Sequence, residues 1–149
     1  MHKEIERKFL VVSEAYQKEA IQKTNIIQAF LNKDPERTVR IRINEDKGWI
    51  TVKGKSTADG LTRLEWEKEI PINEAKQLLK LCLPLPIYKT RYKVPFGVFT
   101  IEVDEFKKQH EGLVIAEIEI PRENTSVPKL PNWIGSEVTG NTSYYNSQL

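Results

Sequence analysis

The chain has 149 residues, 39% of them hydrophobic and 30% charged, with 23 Lys and Arg against 21 Asp and Glu. That is enough apolar material for one core, so residues 1–149 read as a single domain, and disordered, collagen-like, coiled-coil and low-complexity architectures are excluded. A formal net charge of +2 exerts no global pull on nucleic acid or anionic membrane, so any anion site must come from local segregation of charge.

The amino-terminal run Met1-His2-Lys3-Glu4-Ile5-Glu6 is ionised where a signal peptide would be apolar, and no later run is long and apolar enough to span a bilayer. The expectation is a cytoplasmic protein with no membrane or nucleic-acid partner. Cys82 is the lone cysteine and sits between leucines, which suits a small packing residue rather than a nucleophile.

Alternation of period two then dominates the chain. It predicts strands over Lys3–Val11, Ile26–Lys33, Thr38–Asn44, Gly48–Lys55, Thr62–Ile70, Tyr88–Val94, Val98–Lys107 and Leu113–Pro121. Asp46-Lys47-Gly48, Asp59-Gly60, Pro95-Phe96-Gly97 and Glu111-Gly112 supply tight reversals, so the strands read as a meander of antiparallel hairpins. Two stretches break the alternation. Ser13 caps an expected helix through Lys23, and Asn73 caps a second in which Ala75, Leu78, Leu79 and Cys82 recur at helical spacing until Pro84. After Pro121 the pattern ends in a loop marked by Pro128 and Pro131, and Thr142 to Leu149 is expected to form a short closing helix.

Residues two apart on a strand share a face. Glu4, Glu6 and Lys8 therefore oppose Ile5 and Phe9; Arg40 and Arg42 oppose Val39, Ile41 and Ile43; Lys53 and Lys55 oppose Ile50 and Val52. Arg63, Glu65 and Glu67 oppose Leu64 and Trp66. Lys89 and Arg91 alternate with Tyr88, Thr90 and Tyr92, Glu102 and Asp104 oppose Ile101 and Val103, and Glu117 and Glu119 oppose Ile118 and Ile120. For any one strand a solvated ionic face is the ordinary explanation. Its recurrence on seven strands, with acids and bases grouped on particular strands, points instead to an enclosed site.

Neighbouring carboxylates repel unless a cation lies between them, so Glu4/Glu6 and Glu117/Glu119 invite a metal. The donors are hard oxygens, which favours Mg²⁺ or Mn²⁺ over Zn²⁺. The basic rows Lys8, Arg40, Arg42, Lys53, Lys89 and Arg91 match phosphate oxygens. If the sheet closes into a barrel, its apolar face turns outward and the interior becomes a charged channel suited to phosphoryl transfer. The three tryptophans, Trp49, Trp66 and Trp133, read as packing residues. Gly54-Lys55-Ser56 imitates the end of a phosphate-binding loop, but Trp49 stands where a glycine is needed.

The run Glu4-Ile5-Glu6-Arg7-Lys8 resembles the ExExK signature of the CYTH superfamily, the triphosphate tunnel metalloenzymes. Arg40-Ile41-Arg42, Thr51-Val52-Lys53, Arg63-Leu64-Glu65-Trp66-Glu67, Lys89-Thr90-Arg91-Tyr92, Glu102-Val103-Asp104 and Glu117-Ile118-Glu119 follow in that family's order. Gly135 to Thr139 with Tyr144 to Leu149 is similar to its closing segment. The resemblance implies a mainly β fold, an eight-stranded antiparallel closed barrel with a few peripheral helices. It also implies an enzyme most similar to the short bacterial inorganic triphosphatases, acting on inorganic tripolyphosphate or another small-molecule triphosphate with Mg²⁺ or Mn²⁺. By that likeness Glu4, Glu6, Glu102, Asp104, Glu117 and Glu119 hold metal, and Lys8, Arg40, Arg42, Lys53, Arg63, Lys89 and Arg91 grip phosphates. Glu65, Glu67 and Lys8 are the implied catalytic groups, the two glutamates either binding a second metal or positioning the attacking water. An adenylyl cyclase and a non-catalytic polyphosphate- or nucleotide-binding module are the alternatives, and pairing of two chains through the outer apolar strand faces stays open.

Overall fold

In the computed structural model, which describes residues Met1–Leu149, nine strands form one sheet. They are β1 (His2–Val11), β2 (Gln22–Phe30), β3 (Arg37–Asn44), β4 (Lys47–Gly54), β5 (Thr62–Ile70), β6 (Ile87–Phe96), β7 (Phe99–Phe106), β8 (Val114–Glu119) and β9 (Ile134–Glu137). Their order is β5-β4-β3-β2-β6-β7-β8-β1, and β1 pairs back onto β5. Every pairing is antiparallel. Eight strands thereby close into a barrel with no free edge. The ninth pairs with the far half of β1, where Phe9 faces Glu137.

Which face turns inward follows from what covers the outside. Ile5, Phe9, Val94, Ile101, Val103 and Ile118 on the outer face of β1, β6, β7 and β8 are buried beneath Tyr16 and Trp133. Tyr16 meets the rings of Tyr92 and Trp133 edge-on at 5.4 and 5.6 Å. A buried side chain of this kind contributes about 1.5–3 kcal/mol. Across the barrel, α2 (Ile72–Leu79) lays Ala75 on Ile41 and Ile43. Gly48 permits that approach, because a Cβ there would lie 2.4 Å from the Ala75 Cβ.

A third apolar cluster, Phe30, Ile87, Phe106 and Ile115 with Tyr144 and Leu149, fills one end of the barrel. The β4–β5 loop reinforces this end: Gly60 at φ 76° and Gly140 at φ 80° pack backbone against backbone, with no room for a Cβ at Gly60. The opposite end, rimmed by the β3–β4 hairpin and the start of β1 and β2, is exposed. No helix is long and apolar enough to cross a membrane.

Several expected boundaries move. The first helix is a single turn, α1 (Tyr16–Glu19), instead of Ser13 to Lys23. The Ile21 N–H donates to the Lys93 carbonyl and Gln22 pairs with Lys93, so sheet pairing claims the residues after Ala20. The second strand accordingly runs from Gln22 to Phe30, earlier than Ile26 to Lys33. α2 begins after Pro71, with Asn73 inside it rather than capping it. The closing segment forms two 3₁₀ turns, Thr142–Tyr144 and Asn146–Gln148, in place of a helix. β9 lies in a stretch expected to be loop.

Candidate active site

The inner faces of the eight barrel strands, charged on all but β2, enclose a cavity of about 580 Å³. Its walls segregate by strand order. The half formed by β7, β8, β1 and β5 presents Glu102, Glu117, Glu119, Glu4, Glu6, Glu65 and Glu67. The half formed by β4, β3, β2 and β6 presents Lys53, Arg40, Arg42, Lys89 and Arg91, with the neutral Thr24 and Ile26 of β2 between them. Lys8 and Arg63 are the cations embedded in the acidic half, toward the closed end.

Alternation explains each placement, and register explains who meets whom. Glu6 lies opposite Glu119 and Lys8 opposite Glu117 across β1 and β8. Glu6 and Glu117 face each other in the cavity: burial and the charges of Glu117 and Glu4 push the Glu6 carboxyl well above the usual range. Burial also works against ionising Glu117, but the Lys8 charge, the proton held by Glu6 and the Arg91 charge pull it below that range. The two carboxyls thus share one proton. Beside them, Lys53 Nζ reaches Glu4 at 3.0 Å and Glu65 at 3.5 Å. Burial would raise Glu4, yet this ammonium holds it down. Glu65 is raised by its burial and by the Glu4 charge.

On the basic half, burial and the adjacent Arg40 lower Arg42 to about 10. The Nε atoms of Arg40 and Arg42 are buried without an acceptor, and their outer nitrogens share one carboxylate, Glu67, at 3.4 and 3.6 Å. Thr51 donates its hydroxyl to the same carboxylate at 2.6 Å. Guanidinium donors without acceptors, held beside a like charge, suit an incoming anion.

Fourteen of the fifteen expected site residues line this cavity. The exception is Asp104, expected to hold metal. It is 1% exposed and lies behind the wall, where it accepts two parallel bonds from Arg91 at 2.8 and 2.9 Å and one contact from Lys89 at 2.8 Å. Those cations overcome the effect of its burial and keep it ionised. Burial lowers Lys89 to about 8 even so.

Other residues were not singled out from sequence. Asn146 enters from the carboxy-terminal turn, and its side-chain oxygen accepts from Lys89 at 2.8 Å and also from Gln28. Tyr145 lies under Lys8 and Arg63, 5.0 and 5.6 Å from its ring centre. Trp49, expected to be packing, faces the cavity at the open end. Its parity with Thr51 and Lys53 was the available signal, whereas nothing local marks Asn146 as a site residue.

No three carboxylates converge closely enough to cage an ion unaided. The Glu6–Glu117 pair nevertheless fits one, since a hard dication relieves their repulsion and Mg²⁺ is commonly held by one or two carboxylates, with water and substrate phosphates completing the shell.

Residues 2–147 match the family model described as the CYTH domain. The chain is 51% identical to the inorganic triphosphatase of Acetivibrio thermocellus, the match covering 100% of this chain and 94% of that one. The solved structure of the inorganic triphosphatase NE1496 superposes with a TM-score of 0.68 at 26% identity, covering 99% of this chain and 94% of its own. A Hippeastrum protein named for adenylyl cyclase and described as having a dominant triphosphatase activity superposes with a TM-score of 0.65. At 14% identity over 80% of each chain, that last likeness is one of fold.

Proposed function

The chain belongs to the CYTH family, and from that premise we propose that it is a metal-dependent triphosphatase that hydrolyses inorganic tripolyphosphate inside its barrel. The observation that carries the reading is the opposition of a carboxylate half and an arginine–lysine half across one cavity closed at one end. Full-length likeness to proteins named inorganic triphosphatase supports the same activity.

In this reading Arg40, Arg42, Lys53, Lys89 and Arg91 bind the phosphate chain and neutralise charge that builds on the leaving diphosphate. Lys8 and Arg63 bind its inner end. Glu6 and Glu117, with Glu4, Glu102 and Glu119 nearby, hold Mg²⁺ or Mn²⁺, which when bound polarises phosphoryl oxygens. Asp104 is a positioning residue that aims Arg91 and Lys89. Glu67 orients Arg40 and Arg42. Glu65, whose carboxyl is raised above its ordinary value by burial and the Glu4 charge, is the group suited to take the proton of the attacking water.

The test is phosphate release from tripolyphosphate with Mg²⁺ or Mn²⁺, run beside an assay for cyclic AMP from ATP. Turnover of tripolyphosphate without cyclic AMP is the expected result, and its absence with either metal rejects the reading. Binding of Mn²⁺, followed as a rise in melting temperature, is expected to disappear in Glu6→Gln and to persist in Asp104→Asn. Loss in both variants would return Asp104 to the metal site.

A further inference from the structure

The three tryptophans occupy different environments. Trp133 is packed in the outer core, and its indole N–H donates to Glu19 at 2.6 Å. Trp66 stands on the outer face of β5, 42% exposed. Trp49 is the half-buried one that turns into the cavity, and its N–H is buried with no acceptor. Buried indole N–H groups ordinarily find a partner. The nearby Asn44 side-chain oxygen, at the same open rim, also lacks one.

The cavity has three aromatic rings in its lining: Phe30, Trp49 and Tyr145. Phe30 belongs to the apolar cluster that seals the closed end. Tyr145 lies there too, beneath Lys8 and Arg63. Only Trp49 stands at the mouth, on β4 beside the β3–β4 hairpin. The Arg42 guanidinium lies 5.8 Å from its ring centre, so an anion gripped by Arg42 is adjacent to the indole.

A triphosphate seated on the basic half has its inner end against the plug. Any organic substituent on its other end must leave through the mouth, past Trp49. Inorganic tripolyphosphate makes no use of an aromatic face, and its ionised oxygens are acceptors only, so they cannot satisfy the Asn44 oxygen. A nucleoside supplies a flat ring to stack on, acceptors for the indole N–H, and ribose or base donors for Asn44.

From this placement we propose that Trp49, with Asn44 beside it, forms a nucleoside subsite at the tunnel mouth. It gives nucleoside triphosphates a second hold that tripolyphosphate does not use. The inference rests on the triphosphatase reading and names a specificity-determining residue within it. A competing role, in which the indole merely props Arg42, acts on both substrates alike because Arg42 meets phosphate in either case.

The experiment measures kcat/KM for ATP and for tripolyphosphate, with the same metal, in the wild type, Trp49→Phe and Trp49→Leu. Loss of one base stack is expected to lower the ATP-to-tripolyphosphate ratio about tenfold in Trp49→Leu, while Trp49→Phe stays within about threefold of wild type because it keeps an aromatic face. An unchanged ratio in Trp49→Leu, with both substrates weakened equally or neither affected, overturns the subsite. A second readout needs no turnover. In wild-type protein kept metal-free with chelator, ATP is expected to quench tryptophan fluorescence more than tripolyphosphate does, and Trp49→Phe is expected to lose that difference. Equal quenching by the two ligands overturns the subsite. Absence of tripolyphosphate turnover in the wild type defeats the triphosphatase reading instead, and the quenching comparison then still decides on Trp49.

Discussion

Arg42 concentrates the conflict between stability and function that runs through the cavity. Its guanidinium is crowded by Arg40, its Nε has no acceptor, and Glu67 is a shared and distant counter-ion at 3.6 Å. A buried cation in such a setting costs the fold more than it returns, and it persists because an anionic substrate needs it. Arg42→Met, which keeps length and removes charge, is therefore expected to melt at the same temperature or a few degrees higher while kcat/KM for tripolyphosphate falls on the order of 10²–10³-fold. A clear drop in melting temperature would show that Arg42 holds the barrel together. Arg91 is the contrast. Two parallel bonds to Asp104 and a contact of 3.4 Å to Glu102 give it partners inside the protein. Their charges outweigh its burial and raise it well above its usual range. Both arginines were expected from sequence to bind phosphate, but alternation alone does not distinguish the closely paired Arg91 from the weakly paired Arg42.

At the level of elements, one short turn fastens the outer layer to the barrel. α1 has four residues, too few to be stable on helix propensity. Its anchor is Tyr16, whose hydroxyl donates to Glu105 at the end of β7, where Gln17 and Lys107 also donate. Burial works against ionisation of Glu105, but the Tyr16, Gln17 and Lys107 bonds hold its carboxyl below the ordinary value. A group depressed on folding stabilises the native state above its unfolded pKa and loses that contribution as pH falls through its folded one. Tyr16→Phe is therefore expected to cost about 1.5–2 kcal/mol near neutral pH. The gap to wild type should shrink below about pH 4 as Glu105 protonates. Urea unfolding at several pH values checks this, and a gap that persists unchanged into acid would assign the loss to packing alone. The hairpins were legible because each strand and turn carries its own signal, and β5 runs from Thr62 to Ile70 as alternation predicts. α1 was misjudged because its helical spacing competes with pairing to β6, which is remote in sequence.

On the scale of the molecule, the usual layering is inverted. Oily residues clothe the outside of the sheet under α1, α2 and the chain around Trp133, and charge fills the inside. The exception is the closed end, where Phe30, Ile87, Phe106 and Ile115 meet Tyr144 and Leu149. The carboxy-terminal turn both seals that end and delivers Asn146 to Lys89. Removing residues 144–149 is expected to cost about 3 kcal/mol or more through exposure of this cluster. It should also weaken tripolyphosphate binding, read by urea unfolding and by calorimetry. Unchanged stability would mean that the barrel closes without its tail.

Local chemistry determined the strands, their two faces and the grouping of acids on some and bases on others, because side-chain direction along a strand depends only on parity. It therefore also marked most of the charged residues that line the cavity. Tertiary structure alone decided that Asp104 lies behind Arg91 and Lys89, that Asn146 and Tyr145 enter from the far end of the chain, and that Trp49 stands at the mouth. Those facts depend on closure of β1 onto β5 and on which end the tail fills, contacts between residues far apart in sequence that no short window of residues encodes.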